Sequence, residues 1–128
     1  MGESLRTPLG RVRGHGSAKS GTGHFIVQRV TAIALAILAP WFVISAAVSL
    51  PFGYEAARAW VAQPLVAVPL ALLALVGFHH MRLGMAVVIE DYIHKPSSKA
   101  LLLLANLFMS VALSAAAVFC ILQISFGS

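Results

Sequence analysis

The sequence predicts an all-α integral membrane protein with three transmembrane helices, and three observations carry that expectation. Of 128 residues, 59% are hydrophobic and only 10% are charged, against roughly 25% charged in a soluble domain. Mean hydropathy is +0.90. The apolar residues gather into three runs, each long enough at about 1.5 Å of rise per residue to cross a hydrocarbon core of roughly 30 Å. That balance excludes a water-soluble globule. The single cysteine, Cys120, lies inside an apolar run and reads as a small packing residue, so no disulfide forms within the chain.

Residues 1–23 are rich in Gly, Ser, Thr and Arg, lack an apolar period, and read as an irregular basic tail. From Met1 to Arg29 the bases are Arg6, Arg11, Arg13, Lys19 and Arg29, against Glu3 alone. Ahead of a membrane span, such a bias speaks for positive-inside topology and lipid headgroups, not for nucleic acid. Residues 24–128 read as the three-helix domain, with helices over about 25–50, 64–89 and 100–126.

In the first helix Pro40 is expected to introduce a kink, and Trp41, too deep for an interfacial belt, is expected to pack. The run from Leu50 to Trp60 breaks the pattern with Pro51, Gly53, Glu55 and Arg58. Tyr54 and Trp60 read there as interface anchors, near a short amphipathic turn. Pro64 suits the first turn of the second helix, and Pro69 is placed to bend it. Pro96 and its flanking serines read as ending the helical pattern before the third span. Asn106, the one strongly polar group deep in that span, is expected to hydrogen-bond to another helix. Three spans put the termini on opposite faces. The basic residues place the N-terminus and the Glu90–Lys99 loop inside, and the first loop and the C-terminus outside.

The stretch HHMRLGMAVVIEDY, His79 to Tyr92, sets chemistry into the second span. His80 and Gly84, four residues apart, share a helix face, and Gly84 leaves room there for a planar group. Asp91 falls roughly three turns further along the same face. For His80, three readings are open: a hydrogen bond to a neighbouring helix, a place in a proton path, or an axial bond to haem iron. His79 lies about 100° around the helix, so the two histidines cannot ligate one flat porphyrin from opposite sides. Arg82 must snorkel, pair or meet an anion. Arg29, at the inner end of the first helix, reads either as a positive-inside anchor or as a group for a propionate or quinone-associated water. Asp91 and Tyr92 form either an interfacial helix end or a quinone contact in which the phenol donates to a carbonyl and the carboxylate relays protons.

Taken with HFIVQRVTAIAL in the first helix, this stretch resembles the small hydrophobic membrane-anchor subunit of succinate dehydrogenase, respiratory complex II. The likeness runs roughly from Gly23 to Gly127. It rests on the order of a first-helix Arg, a second-helix His-x-x-x-Gly and an Asp-Tyr end. The resemblance implies half of a heterodimeric haem-binding helical anchor, paired with a second three-helix subunit of the cytochrome b type. It implies a b-type haem shared between the two anchors, with His80 as an axial ligand to the iron and Gly84 beside it. Arg29 would stand near the propionates, and Tyr92 with Asp91 at a ubiquinone-reduction site. A flavoprotein with FAD and an iron-sulfur subunit would dock on the inner side and carry out succinate oxidation, since this chain has no flavin-binding fingerprint and no cysteine set for clusters. The implied location is the bacterial inner membrane, with the N-terminus cytoplasmic and the C-terminus periplasmic. A quinol:fumarate reductase anchor is the alternative within the same architecture, and a small proton-coupled transporter or channel the alternative outside it.

Overall fold

The structure, a computed structural model, describes residues 7–14 and 21–127. The elements run α1 (Pro8–Gly14), α2 (Gly21–Ser49), a 3-10 turn (Leu50–Phe52), α3 (Tyr54–Ala62), α4 (Pro64–Tyr92) and α5 (Pro96–Ser125). Three helical segments, Gly21–Phe52, Pro64–Tyr92 and Pro96–Ser125, are long and apolar enough to cross a membrane. The chain is a multi-pass membrane protein.

Prolines set the helix starts. Pro64 and Pro96 each open a helix, and the residue before each is extended, Gln63 at φ −70°, ψ 128° and Lys95 at φ −72°, ψ 119°. A proline ring disfavours the α region in the preceding residue, while its own fixed φ suits the first helical position. This revises two expectations. Pro96 begins the third helix instead of closing the second, so that helix starts at Pro96 and not near residue 100. The second helix runs on past Ile89 to Tyr92, which carries Asp91 and Tyr92 on its last turn.

The expected irregular tail also differs where it is described. Thr7 caps α1: its Oγ1 accepts from the Gly10 N–H at 3.0 Å, with Pro8 in the first turn. Residues 1–6 and 15–20 of that tail lie outside the described residues. Helix α2 begins at Gly21, a turn earlier than expected, and passes through Pro40 without ending.

Helix α4 is the centre of the arrangement. It packs against both α2 and α5, and no backbone contact joins α2 to α5. The two seams differ in kind. On α2 the more buried positions include Thr31, Leu35, Leu38, Phe42, Ser45, Ala46 and Ser49, which return every three or four residues and face α4 and α3. Toward the far end of α2, Ala46, Trp60, Val66 and Leu70 form a core, flanked by Trp41, Phe42, Val61 and Ile121. Trp41 packs as expected. Trp60, expected at the lipid interface, is buried instead: its Nε1–H donates to Ser45 Oγ at 2.9 Å and its ring lies 6.3 Å from that of Phe42. Tyr54 stays exposed. The chain can turn into α3 because Gly53 takes φ 90°, a left-handed value that a side chain would strain.

The α4–α5 seam is held by polar side chains of one helix bonding carbonyls of the other. Asn106 Nδ2 donates to Arg82 O at 2.9 Å, and Ser110 Oγ donates to Phe78 O at 2.8 Å. Lys99 Nζ donates to Glu90 O at 3.0 Å. As the α5 residue number rises, its α4 partner falls by about the same step, which is the register of antiparallel neighbours. The Asn106 bond meets the expectation made for it. Even so, at most 11% of the most apolar window of any span is buried. Most of the helical surface is left for lipid or for other helices.

Candidate functional site

The site is built where α2 crosses α4. Phe25, Gln28, Arg29 and Ala32, at spacings of three, one and three, line one side of α2. They face His80 of α4 across a cleft of about 300 Å³. His80 is 16 residues from the start of α4 and 12 from its end, about 24 and 18 Å along the axis. Its imidazole therefore lies at the middle depths of the span.

His80 Nδ1 is 2.8 Å from Thr31 Oγ1, a contact that joins residues 49 apart in sequence. The same hydroxyl is 2.8 Å from Val27 O and 3.0 Å from Gln28 O in its own helix. Thr31 is buried, one of two buried polar residues among those described, the other being Ser110. The second ring nitrogen of His80, Nε2, has no hydrogen-bond partner among the described residues. Sequence reasoning passed over Thr31. Its trace in the sequence was a hydroxyl inside an apolar run, but its partner depends on how α2 and α4 register, which local pattern does not reveal.

Arg29 lies on the exposed rim of the cleft. Its guanidinium stands 5.0 Å from the Phe25 ring centroid, a cation–π contact worth about 0.5–1 kcal/mol at an exposed site. No carboxylate of the described residues pairs with it. Its five donors are thus available to an anion that enters the cleft. Gly84 is half-buried, and a Cβ built on it would meet no atom within 4 Å. Packing within this chain does not demand a glycine there, and the space beside it is open.

The adjacent histidines serve different sides. His79 lines a separate cleft of about 500 Å³ with Arg82, Ser110 and Ser114, on the α5 flank of α4. Arg82 also borders a cleft with His24 and Asn106. Asp91 and Tyr92 are both exposed at the end of α4, Tyr92 with 76% of its surface accessible. Neither makes a side-chain hydrogen bond among the described residues, and neither joins the cleft of His80 and Arg29. The sequence-predicted residues therefore fall into two groups. His80 and Arg29 meet at one cleft, with Gly84 a turn beyond, and Asp91 and Tyr92 sit about 16–18 Å further along the helix.

The described residues contain no cluster of three His, Cys, Asp or Glu side chains suited to hold an ion. The cleft offers instead the His80 imidazole, which lines a space edged by an arginine. An imidazole and a guanidinium at one cleft would suit an iron porphyrin shared with another protein, the imidazole for the iron and the guanidinium for an acidic edge group.

The family model for the succinate dehydrogenase/fumarate reductase transmembrane subunit matches residues 3–118. The chain is 33% identical over 122 residues to the succinate dehydrogenase hydrophobic membrane anchor subunit of Paracoccus denitrificans, covering 95% of this chain and 94% of that one. It is 34% identical over 114 residues to the anchor subunit of the same name from Rickettsia conorii, covering 87% and 90%. The corresponding subunit of Rickettsia bellii is 30% identical over 111 residues, covering 87% and 89%. No solved structure matches the chain.

Proposed function

The chain belongs to the succinate dehydrogenase hydrophobic membrane anchor family, and from that premise we propose that it holds one side of a b-type haem through His80 Nε2 and serves quinone reduction at the inner end of α4. The observation that carries this reading is the α2–α4 cleft. It sets an imidazole at mid-span, one nitrogen tied to Thr31 and the other unengaged, across from an unpaired arginine. A second ligand to the iron would come from a second three-helix anchor, since His79 lines the cleft on the other flank of α4. A flavoprotein and an iron-sulfur subunit dock on the inner side and deliver electrons. The haem, when bound, supplies a one-electron carrier within the membrane. The chain's own residues would do the holding: His80 would bind the iron, Arg29 would neutralise propionate charge, and the apolar walls of α2 and α4 would exclude water.

At the inner end, Tyr92 donates a hydrogen bond to a ubiquinone carbonyl and Asp91 passes protons toward it through water. The exposure of both side chains supports a site completed by a partner's surface. Succinate oxidation lies in the partners, and this chain contributes position. A quinol:fumarate reductase anchor would use the same geometry, and the soluble partners purified with the chain separate the two. A proton-coupled transporter is a weaker fit, because Asn106 Nδ2 and Ser110 Oγ donate to α4 carbonyls, which ties both side chains to the helix seam.

The test is a dithionite-reduced minus oxidised spectrum of the purified complex, compared with His80→Ala and His79→Ala. Haem in the native complex, its loss or altered coordination in His80→Ala, and its retention in His79→Ala are expected. Loss in His79→Ala with an unchanged spectrum in His80→Ala would move the ligand by one residue. A native complex without haem would sink the haem reading.

A further inference from the structure

We propose that Thr31 is a positioning residue for His80, which fixes the imidazole tautomer and leaves the Nε2 lone pair free for iron. The inference rests on the haem reading above and deepens it.

Thr31 Oγ1 lies 2.8 Å from Val27 O and 3.0 Å from Gln28 O. Carbonyl oxygens only accept, and two oxygens at such a separation require a proton between them. The hydroxyl has one proton, and it is shared between these two carbonyls of its own helix in a three-centre bond, as is common for threonine within a helix. The remaining contact, 2.8 Å to His80 Nδ1, then closes only if the nitrogen brings the proton. A neutral imidazole carries a single N–H. With that proton on Nδ1, Nε2 keeps its lone pair. The tautomer follows from the surrounding acceptors and not from any placed hydrogen. Thr31 is buried, so bulk water does not compete for the position.

Two consequences follow for a bound metal. The Nδ1–H···O bond makes Nε2 a stronger electron donor, as outer hydrogen bonds do for ligating histidines. It also fixes the ring plane, since a second atom of the imidazole is now tied to α2. Arg29 is only two residues away. The same turn of α2 thus orients the imidazole with one residue and would offer a guanidinium to an acidic edge group with another.

The experiment uses the whole complex with Thr31→Val, which keeps the shape and removes the acceptor, and Thr31→Ser, which restores the hydroxyl. In Thr31→Val the haem midpoint potential should rise, because a less basic imidazole favours the ferrous state. The low-spin ferric electron paramagnetic resonance signal should shift or broaden, and haem affinity should fall ~10–100-fold. Thr31→Ser should return all three toward the native values. Native potential and signal in Thr31→Val overturn the proposal, as does an equal change in both variants, which would assign the role to the threonine methyl. If Thr31→Val fails to assemble, electron–nuclear double resonance on the native ferric haem decides. A slowly exchanging axial-imidazole N–H proton is expected, and a freely exchanging one counts against Thr31. Should His80→Ala remove haem while Thr31→Val matches the native complex, this inference alone fails. Haem unchanged in His80→Ala would remove the haem reading beneath it.

Discussion

Tyr92 shows how little a residue's own surroundings can say when its partner lies outside the chain. It is exposed, ends α4, and makes no side-chain hydrogen bond among the described residues. Removing its hydroxyl therefore breaks nothing inside this subunit. Tyr92→Phe should leave assembly, haem content and succinate oxidation with an early artificial acceptor unchanged. If the phenol donates to a quinone carbonyl, losing about 0.5–1.5 kcal/mol of that bond lowers quinone reduction efficiency roughly 2–10-fold. Steady-state assays with the two acceptors, run side by side, check this. An undiminished quinone rate would leave Tyr92 as an interfacial anchor, and equal loss with both acceptors would point to damaged docking of the soluble partners. At this scale the sequence singled out His80 and Arg29, which the fold brings to one cleft. An imidazole and a guanidinium in an apolar helix are conspicuous, because each is costly without a partner. It was silent about Thr31, whose hydroxyl is inexpensive in a helix and whose role comes only from meeting His80 across 49 residues. The division between His79 and His80 was half legible. The 100° between them was certain from helix geometry, but which one turns toward α2 depends on how α4 is rotated between its neighbours.

At the scale of elements, the lengths and positions of the three spans were readable because lipid leaves the chain few options. Backbone groups in hydrocarbon must bond within the helix, so an apolar run of sufficient length is a helix. The helix ends were less readable. Pro96 signals a break, and a break is both the end of one helix and the start of the next. Only the extended Lys95 shows that Pro96 stands on the starting side. Trp60 was misplaced for a related reason. Tryptophan suits both a membrane interface and a packed core with a hydrogen-bond acceptor, and Ser45 supplies that acceptor only after α3 folds back on α2. The α4–α5 seam permits a quantitative expectation. Asn106 and Ser110 donate to carbonyls that already accept their own helix's N–H groups. Deleting both donors leaves no orphaned carbonyl. Asn106→Leu with Ser110→Ala should therefore cost only about 0.6 kcal/mol for each bond, with an upper bound near 1.7. The expected result is a modest fall in the thermal midpoint of the detergent-solubilised complex, with haem spectrum intact. A collapse of assembly would show that the two bonds specify helix register, beyond adding stability.

For the whole molecule, the decisive property is which way the bundle sits in the membrane. Three spans require termini on opposite faces, and the basic residues decide between the two orientations. Arg11, Arg13 and Arg29 stand in or before α2, and Lys95 and Lys99 flank the α4–α5 junction. Arg58 is the lone base in the junction between α2 and α4, where Glu55 accompanies it. By the positive-inside rule the N-terminus and the Ile93–Lys95 junction are expected inside, and the Leu50–Gly53 turn, α3 and the C-terminus outside. This orientation has a functional consequence that the fold alone does not. Arg29 lies about 12 Å from the start of α2, and Tyr92 ends α4 on that same side, so in this orientation the cleft and Tyr92 would both lean toward the inner face. Electrons from soluble partners docked on that face, as proposed, would meet Tyr92 first, with His80 about 18 Å deeper. Were the bundle inverted, the same residues would face away from the cytoplasm, and electrons would have to cross most of the membrane before reaching quinone. Reporter fusions at each terminus, one active only outside and one only inside, measure the orientation directly. An inside signal at the N-terminus and an outside signal at the C-terminus are expected. Two inside signals would contradict three crossings, while a full inversion would keep the fold and detach the quinone proposal from its electron source.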